Sequence, residues 1–121
     1  MALSREYAAH IEDLLSPLGP VSVRSMFGGG VYLDSIMFGL IADEVLYFKA
    51  DAATKSAYEA EGMGPFVYDG KGKPMAMPYW QVPDRLFDEH DELISFARLA
   101  HDVARRAKKA KPRRPNAGRR S

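Results

Sequence analysis

Arg24 to Ala50 reads RSMFGGGVYLDSIMFGLIADEVLYFKA, and this stretch decides the fold. Asp34-Ser35 separates a run ending Val31-Tyr32-Leu33 from one beginning Ile36-Met37-Phe38, and Asp43-Glu44 separates that run from Val45-Leu46-Tyr47-Phe48. Two-residue connections between short β-rich runs predict consecutive antiparallel hairpins. Neither turn has the glycine that primed turns prefer, so the strands are better specified than their registers. Gly28-Gly29-Gly30 sits inside the first run, and glycines in a strand pattern mark a bulge or bend. The expectation is one long bent strand from about Arg24 to Leu33. On the next strand Ile36, Phe38 and Leu40 fall on one side and Met37, Gly39 and Ile41 on the other. Both sides are apolar, so one packs on helices and the other is covered too or serves self-association as a homodimer.

Outward from this stretch, Ser4 caps a first helix whose stripe is Tyr7, Ile11, Leu14 and Leu15, closed by Pro17, Gly19 and Pro20. Asp51 caps a second helix over Ala52 to Glu61. Phe66-Val67-Tyr68 and Met75 to Val82 read as the fourth and fifth strands, joined by a loop carrying Lys71 and Lys73. Pro78 places the fifth strand at a sheet edge. Met75 to Trp80 is the part of the chain richest in sulfur and aromatics, a pattern that suits core and rim packing, a partner peptide or stacked bases. A long third helix from about Asp88 has acids at its start and cations at its end, matching the helix dipole. Its buried stripe is Leu93, Phe96, Ala97, Ala100, Val103, Ala104 and Ala107.

The 121 residues make one ordinary domain. Without cysteine there are no disulfides, thiolate nucleophiles or cysteine zinc sites. No signal core or long apolar run is present, which predicts a cytoplasmic protein with no membrane partner. Nine of the 17 lysines and arginines lie from Arg105 onward, where there is no acid, leaving eight against all 16 acids in residues 1–104. An acidic body thus carries a basic arm. Residues 1–107 form the domain and 108–121 a tail that lacks apolar periodicity and should be disordered. Lys108, Lys109, Lys111, Arg113, Arg114, Arg119 and Arg120 are the candidate nucleic-acid contacts, without base-specific geometry.

Chemistry-bearing patterns are sparse. Gly28 to Gly30 with Arg24 offers an anion cradle, but the chain has neither GxxxxGK[ST] nor a GxGxxG opening a helix. A small-molecule site or enzyme using this glycine region is the alternative function. His10 has no second ligand at helical spacing, and the acids around His90 are sequence neighbours that point apart. No catalytic, cofactor or metal residues are assigned.

Arg24-Ser25-Met26-Phe27-Gly28-Gly29, Ile36 to Asp43, Val45 to Lys49 and Met77-Pro78-Tyr79-Trp80-Gln81-Val82-Pro83, followed by an acid-capped helix, resemble the TfoX/Sxy N-terminal domain family. The likeness runs from about Tyr7 to Ala107. It implies a two-layer α+β domain of order α-β-β-β-α-β-β-α, which agrees with the elements read from the residues: a five-stranded antiparallel sheet with helices mainly on one face. It also implies a link to regulators of natural competence, coactivators that work beside a cyclic-AMP-responsive transcription factor. A protein partner in transcription follows. Those regulators carry a second, C-terminal domain where this sequence has its short basic tail. The resemblance brings no catalytic residues.

Overall fold

The structure, a computed structural model, describes residues 4–24, 29–70 and 72–110. Helix α1 spans Arg5–Leu14, and the Ser4 side chain accepts from the Tyr7 amide at 3.2 Å as its N-cap. A short 3-10 turn, Ser16–Leu18, follows. Four strands come next: β1 (Ser22–Arg24), β2 (Gly29–Leu33), β3 (Ile36–Ala42) and β4 (Val45–Lys49). Helix α2 is Lys55–Ala60, β5 is Pro65–Gly70, β6 is Lys73–Gln81, and α3 is His90–Ala110 after a 3-10 segment at Asp84–Asp88. The architecture is α+β with a wholly antiparallel sheet.

The sheet has six strands in the order β1-β2-β3-β4-β6-β5, not five. The expected single strand from Arg24 to Leu33 is two strands that pair antiparallel, Ser22 opposite Tyr32 and Arg24 opposite Gly30. A strand cannot pair with its own continuation unless the chain reverses, so β1 ends at Arg24 and Gly29 and Gly30 open a separate strand. Gly28 itself lies outside the described residues, with Ser25, Met26 and Phe27. On β1, Glu12 Oε2 of α1 accepts from the Val23 amide at 2.8 Å.

Both two-residue hairpins are present, with Leu33 opposite Ile36 and Ala42 opposite Val45. All four turn residues are left-handed, with φ of 55° and 65° at Asp34 and Ser35 and 52° and 59° at Asp43 and Glu44. Left-handed backbone at both central positions is the twist that continues a right-handed hairpin.

The alternation expected along β3 fails at one point. Val31 pairs with Gly39 but Tyr32 pairs with Met37, so Phe38 is an extra residue in β3. Such a bulge exchanges the faces on its two sides. Phe38, Gly39 and Ile41 therefore point toward the helices, while Met37 and Leu40 share the other face. Gly39 is required there: a Cβ would sit 3.1 Å from both the Val31 Cβ and the Tyr47 carbonyl oxygen.

All the described helices pack on one face. Ile11 and Leu15 of α1, Tyr58 of α2 and Leu93, Ala97, Ala100 and Ala104 of α3 form one buried cluster with Val31, Phe38, Ile41, Leu46 and Phe48. Tyr58 packs edge-on to Phe96 at 5.3 Å and against Trp80 at 6.4 Å. His101 Nε2 donates to the Leu33 carbonyl at 3.0 Å, and its ring meets Phe38 edge-on at 5.7 Å. Helix α2 begins later than expected, because Asp51 Oδ1 accepts from the Ala53 and Thr54 amides and holds residues 52–54 as a turn. Asp88 likewise belongs to the 3-10 segment, and Ala107 on α3 is exposed.

Strand β6 is interior, not an edge, since β4 and β5 flank it. It tolerates Pro78 for two reasons. Its pairing with β4 covers only Gln81, Trp80 and Tyr79, and the register with β5 shifts between Pro65 and Val67, which leaves Pro78 in a bulge. The Pro78 carbonyl still accepts from the Ala50 amide at 3.0 Å. Beyond Pro78, β6 pairs with β5 alone, so the hairpin leaves the sheet as a two-stranded ribbon. Among the described residues no helix is long and apolar enough to cross a membrane.

A candidate interaction face

The described helices do not pack on the second face of the sheet, where Leu40 and Tyr79 are buried among their neighbours and Tyr68 and Met75 are exposed. The rows of that face follow from the register: Arg24, Gly30, Leu40 and Tyr47 lie side by side on β1 to β4, with Tyr32 beside Met37 and Lys49 beside Tyr79. Met37 and Leu40 of β3, Met75, Met77 and Tyr79 of β6, and Phe66 and Tyr68 of β5 line a groove of about 430 Å³. The lining is aliphatic, thioether and aromatic. Thioethers keep such a surface deformable, which suits binding rather than a fixed core.

Rings and cations are stacked on this face. The Arg24 guanidinium lies 5.0 Å from the centre of the Tyr32 ring, and the Lys49 ammonium 5.3 Å from the Tyr79 ring. Tyr47 meets Phe66 edge-on at 5.2 Å. Burial pushes the hydroxyls of Tyr79 and Tyr47 above the ordinary tyrosine value, so both rings stay neutral at physiological pH. Exposure concentrates on the ribbon, where Met75 is 59%, Val67 51% and Tyr68 48% accessible. Tyr68 and Met75 belong to the groove; Val67 alternates to the other side.

A second hollow of about 400 Å³ opens at the rim, where α3 crosses the ends of the strands. Tyr32, Ser35, Met37, Lys49, Ala107 and Lys108 contribute to its wall. Lys108 is thus an exposed cation beside the sheet face, and Lys109 follows it on α3. Lys111, Arg113, Arg114, Arg119 and Arg120 lie outside the described residues, as do Lys71 and the side chain of Lys73.

Gly30 answers part of the glycine question. A Cβ there would fall 2.8 Å from Tyr32 Cε1 and 3.3 Å from Met37 Sδ. The missing side chain is used by the protein's own Tyr32 ring, which lies against the strand with Arg24 above it. Arg24 thus lies over a ring that itself occupies the space beside Gly30. The acids near His90 behave as local partners. Arg85 bonds Glu92 at 2.9 and 2.8 Å and Glu61 at 3.0 Å, and His90 Nε2 donates to the Phe87 carbonyl at 3.0 Å. Among the described residues no group of three or more metal-ligating side chains converges.

The groove is made by the bulge as much as by the strands. Sequence reading singled out Met75 to Trp80 but had Leu40 sharing a side with Phe38, so the wall formed by Met37 and Leu40 was missed. Apolar residues on both sides of β3 were the available signal.

A family model described as the TfoX N-terminal domain matches residues 13–104. The chain is also 26% identical over 113 residues to the DNA transformation protein TfoX1 of Aliivibrio fischeri (strain ATCC 700601 / ES114), which covers 89% of this chain. It spans 54% of the length of that relative.

Proposed function

From membership of the TfoX N-terminal domain family, to which this chain belongs, we propose that the protein is a non-catalytic, cytoplasmic regulatory domain related to DNA transformation. It works as a transcriptional coactivator, with its second sheet face meeting a partner and the basic end of the chain holding nucleic acid without sequence preference. The observation that carries the reading is the face itself: an apolar groove on which none of the described helices packs. The name of the similar DNA transformation protein supports the biological setting. The basic arm supports the nucleic-acid part, because cations replace counterions along phosphates whatever the base sequence.

Truncation after Ala110 tests the arm. The shortened chain keeps every described element and loses Lys111, Arg113, Arg114, Arg119 and Arg120. If all five touch phosphate, the slope of log K against log[salt] on duplex DNA falls by about 4.5, at about 0.9 per contact. Equal retention of duplex by both chains at low salt would remove the arm from the proposal. The coactivator role is tested by transcription of a competence promoter, which should fall when Met75→Lys places a charge in the groove of a normally folded protein. An unchanged transcript level would remove the face.

A further inference from the structure

We propose that the outer edge of β5 is a self-pairing strand: a second copy of this chain adds its own β5 antiparallel, Val67 opposite Val67, and joins the two sheets into one. This contact is independent of the basic arm and of what the arm holds.

The two edges of the sheet differ. Strand β1 is three residues long, and its outward Val23 amide is already taken by Glu12 of α1 at 2.8 Å. A short strand capped by a carboxylate is a blunted edge. Strand β5 is six residues long and ends the strand order on the other side. Its ladder with β6 fixes which backbone groups look outward. Pro74, opposite Asp69, has no N–H and fits the non-bonded class of pairs, so the bonded pairs are Tyr68–Met75 and Gly70–Lys73. The amides and carbonyls of Val67 and Asp69 therefore point away from β6. The Gln81 amide donates to the Gly64 carbonyl at 3.0 Å, which turns the next carbonyl, that of Pro65, outward as well.

This row of backbone groups is complementary to itself. With Val67 opposite Val67, each Val67 amide donates to the other's carbonyl, and each Asp69 amide donates to the Pro65 carbonyl of the opposite strand. Pro65, which cannot donate, falls at the end of the seam, beside water. The side chains match too. Tyr68 lands opposite Phe66 of the partner subunit on the groove side, an aromatic cross-strand pair, and valine meets valine on the other side. The groove, whose lining includes Phe66 and Tyr68, is thereby extended by the second copy. Among the described residues four large hydrophobic side chains are exposed, and Val67, Tyr68 and Met75 are three of them, all on this ribbon. Beyond Pro78 the ribbon has one ladder only. Two-stranded ribbons are marginal in water, and a second copy makes this one four-stranded. Residues 111–121 do not supply the added strand, because they carry prolines at 112 and 115 and no apolar alternation.

Sedimentation of the full chain at about 100 μM, above the micromolar Kd expected of a small interface, should give twice the 13.5 kDa of one chain. Val67→Pro removes both central donors without touching the bonds to β6, and should return the protein to a monomer with a near wild-type melting curve. Val67→Lys, which sets like charges opposite each other, should do the same. The chain has no cysteine, so Val67→Cys reads the register: opposed residues of a bonded pair lie about 5.5 Å apart at Cα, within disulfide reach. Oxidation should yield a covalent dimer, whereas Leu99→Cys, also exposed but on α3, should stay unlinked. The Val67 amide should exchange more slowly as protein concentration rises. A monomer at every concentration would overturn the proposal. So would a dimer that survives Val67→Pro and Val67→Lys, or one that Val67→Cys leaves unlinked; loss of such a dimer in Met75→Lys would place the contact on the sheet face instead.

Discussion

Ser35→Gly should stabilise this protein. Ser35 occupies the second central position of the β2–β3 turn with φ of 65° and is exposed, so the substitution removes no packing and no charge. An L-residue in left-handed backbone costs about 1–2 kcal/mol, which glycine does not incur. Against this, glycine gives the unfolded chain extra freedom, a cost of about 0.4–1 kcal/mol. The net gain is about 0.5–1 kcal/mol, and the new Asp-Gly pair is the one this turn type prefers. For 121 residues, with an unfolding entropy of about 2.1 cal/mol/K per residue, Tm should rise by about 2–4 °C. Gly62→Ala is the mirror control: Gly62 has φ of 78° and nothing within 4 Å of a new Cβ, so the backbone penalty appears there alone and Tm should fall by a similar amount. Differential scanning calorimetry of both variants decides the matter. A Ser35→Gly protein that melts no higher than wild type, beside a normal Gly62→Ala loss, would refute the claim that the turn stores this strain.

Phe38→Ala should cost about 3–5 kcal/mol in urea unfolding, because Phe38 is fully buried at the bulge and packs on Phe48 and His101; a loss under 1 kcal/mol would show that the bulge does not hold it in the core. Arg85→Met should lower Tm at pH 7, with the difference from wild type fading in acid. Hydrogen bonds from Arg85 hold Glu61 and Glu92 below the ordinary value of 4.5, so their contribution is present above that pH and is lost as pH falls through the depressed values. A pH-independent difference would argue against the ion pairs as its source. In alkali the sign reverses: burial holds the Tyr58 hydroxyl well above the ordinary 10.0, so stability present below pH 10.0 drains away as the unfolded chain ionises, and Tyr58→Phe should flatten the alkaline limb of a Tm–pH curve.

The hairpins at Asp34-Ser35 and Asp43-Glu44 were legible because two-residue spacing between apolar runs leaves little else for the chain to do. The Ser4 cap and the α3 stripe were legible for the same local reason. What sequence reading missed is non-local. Whether the chain from Arg24 to Leu33 is one bent strand or two paired ones depends on what pairs with Val23, and nothing near Gly29 encodes that. The extra residue at Phe38 is set by the partners of β3, and strict alternation put Leu40 on the wrong side of the sheet. Pro78 was assigned to an edge because the rule assumes full-length neighbours, whereas β4 stops before reaching it. The site inherits these errors: Met75, Met77 and Tyr79 were visible as an unusual cluster, while Met37, Leu40 and the ring beneath Arg24 join it only through the bulge and the β1–β2 pairing.

The ribbon beyond Pro78 gives the groove two walls of unequal stiffness. Met37 and Leu40 stand on β3, which is paired on both sides and backed by α3, whereas Tyr68 and Met75 stand on a hairpin with a single ladder. Two-stranded ribbons are marginal in water without a packed face, so their amides exchange through local opening while those of β3 wait for global unfolding. A bound guest would therefore be fitted by one hinged jaw closing on a fixed anvil, and its arrival would register first as slowed hydrogen exchange at Tyr68 and Met75.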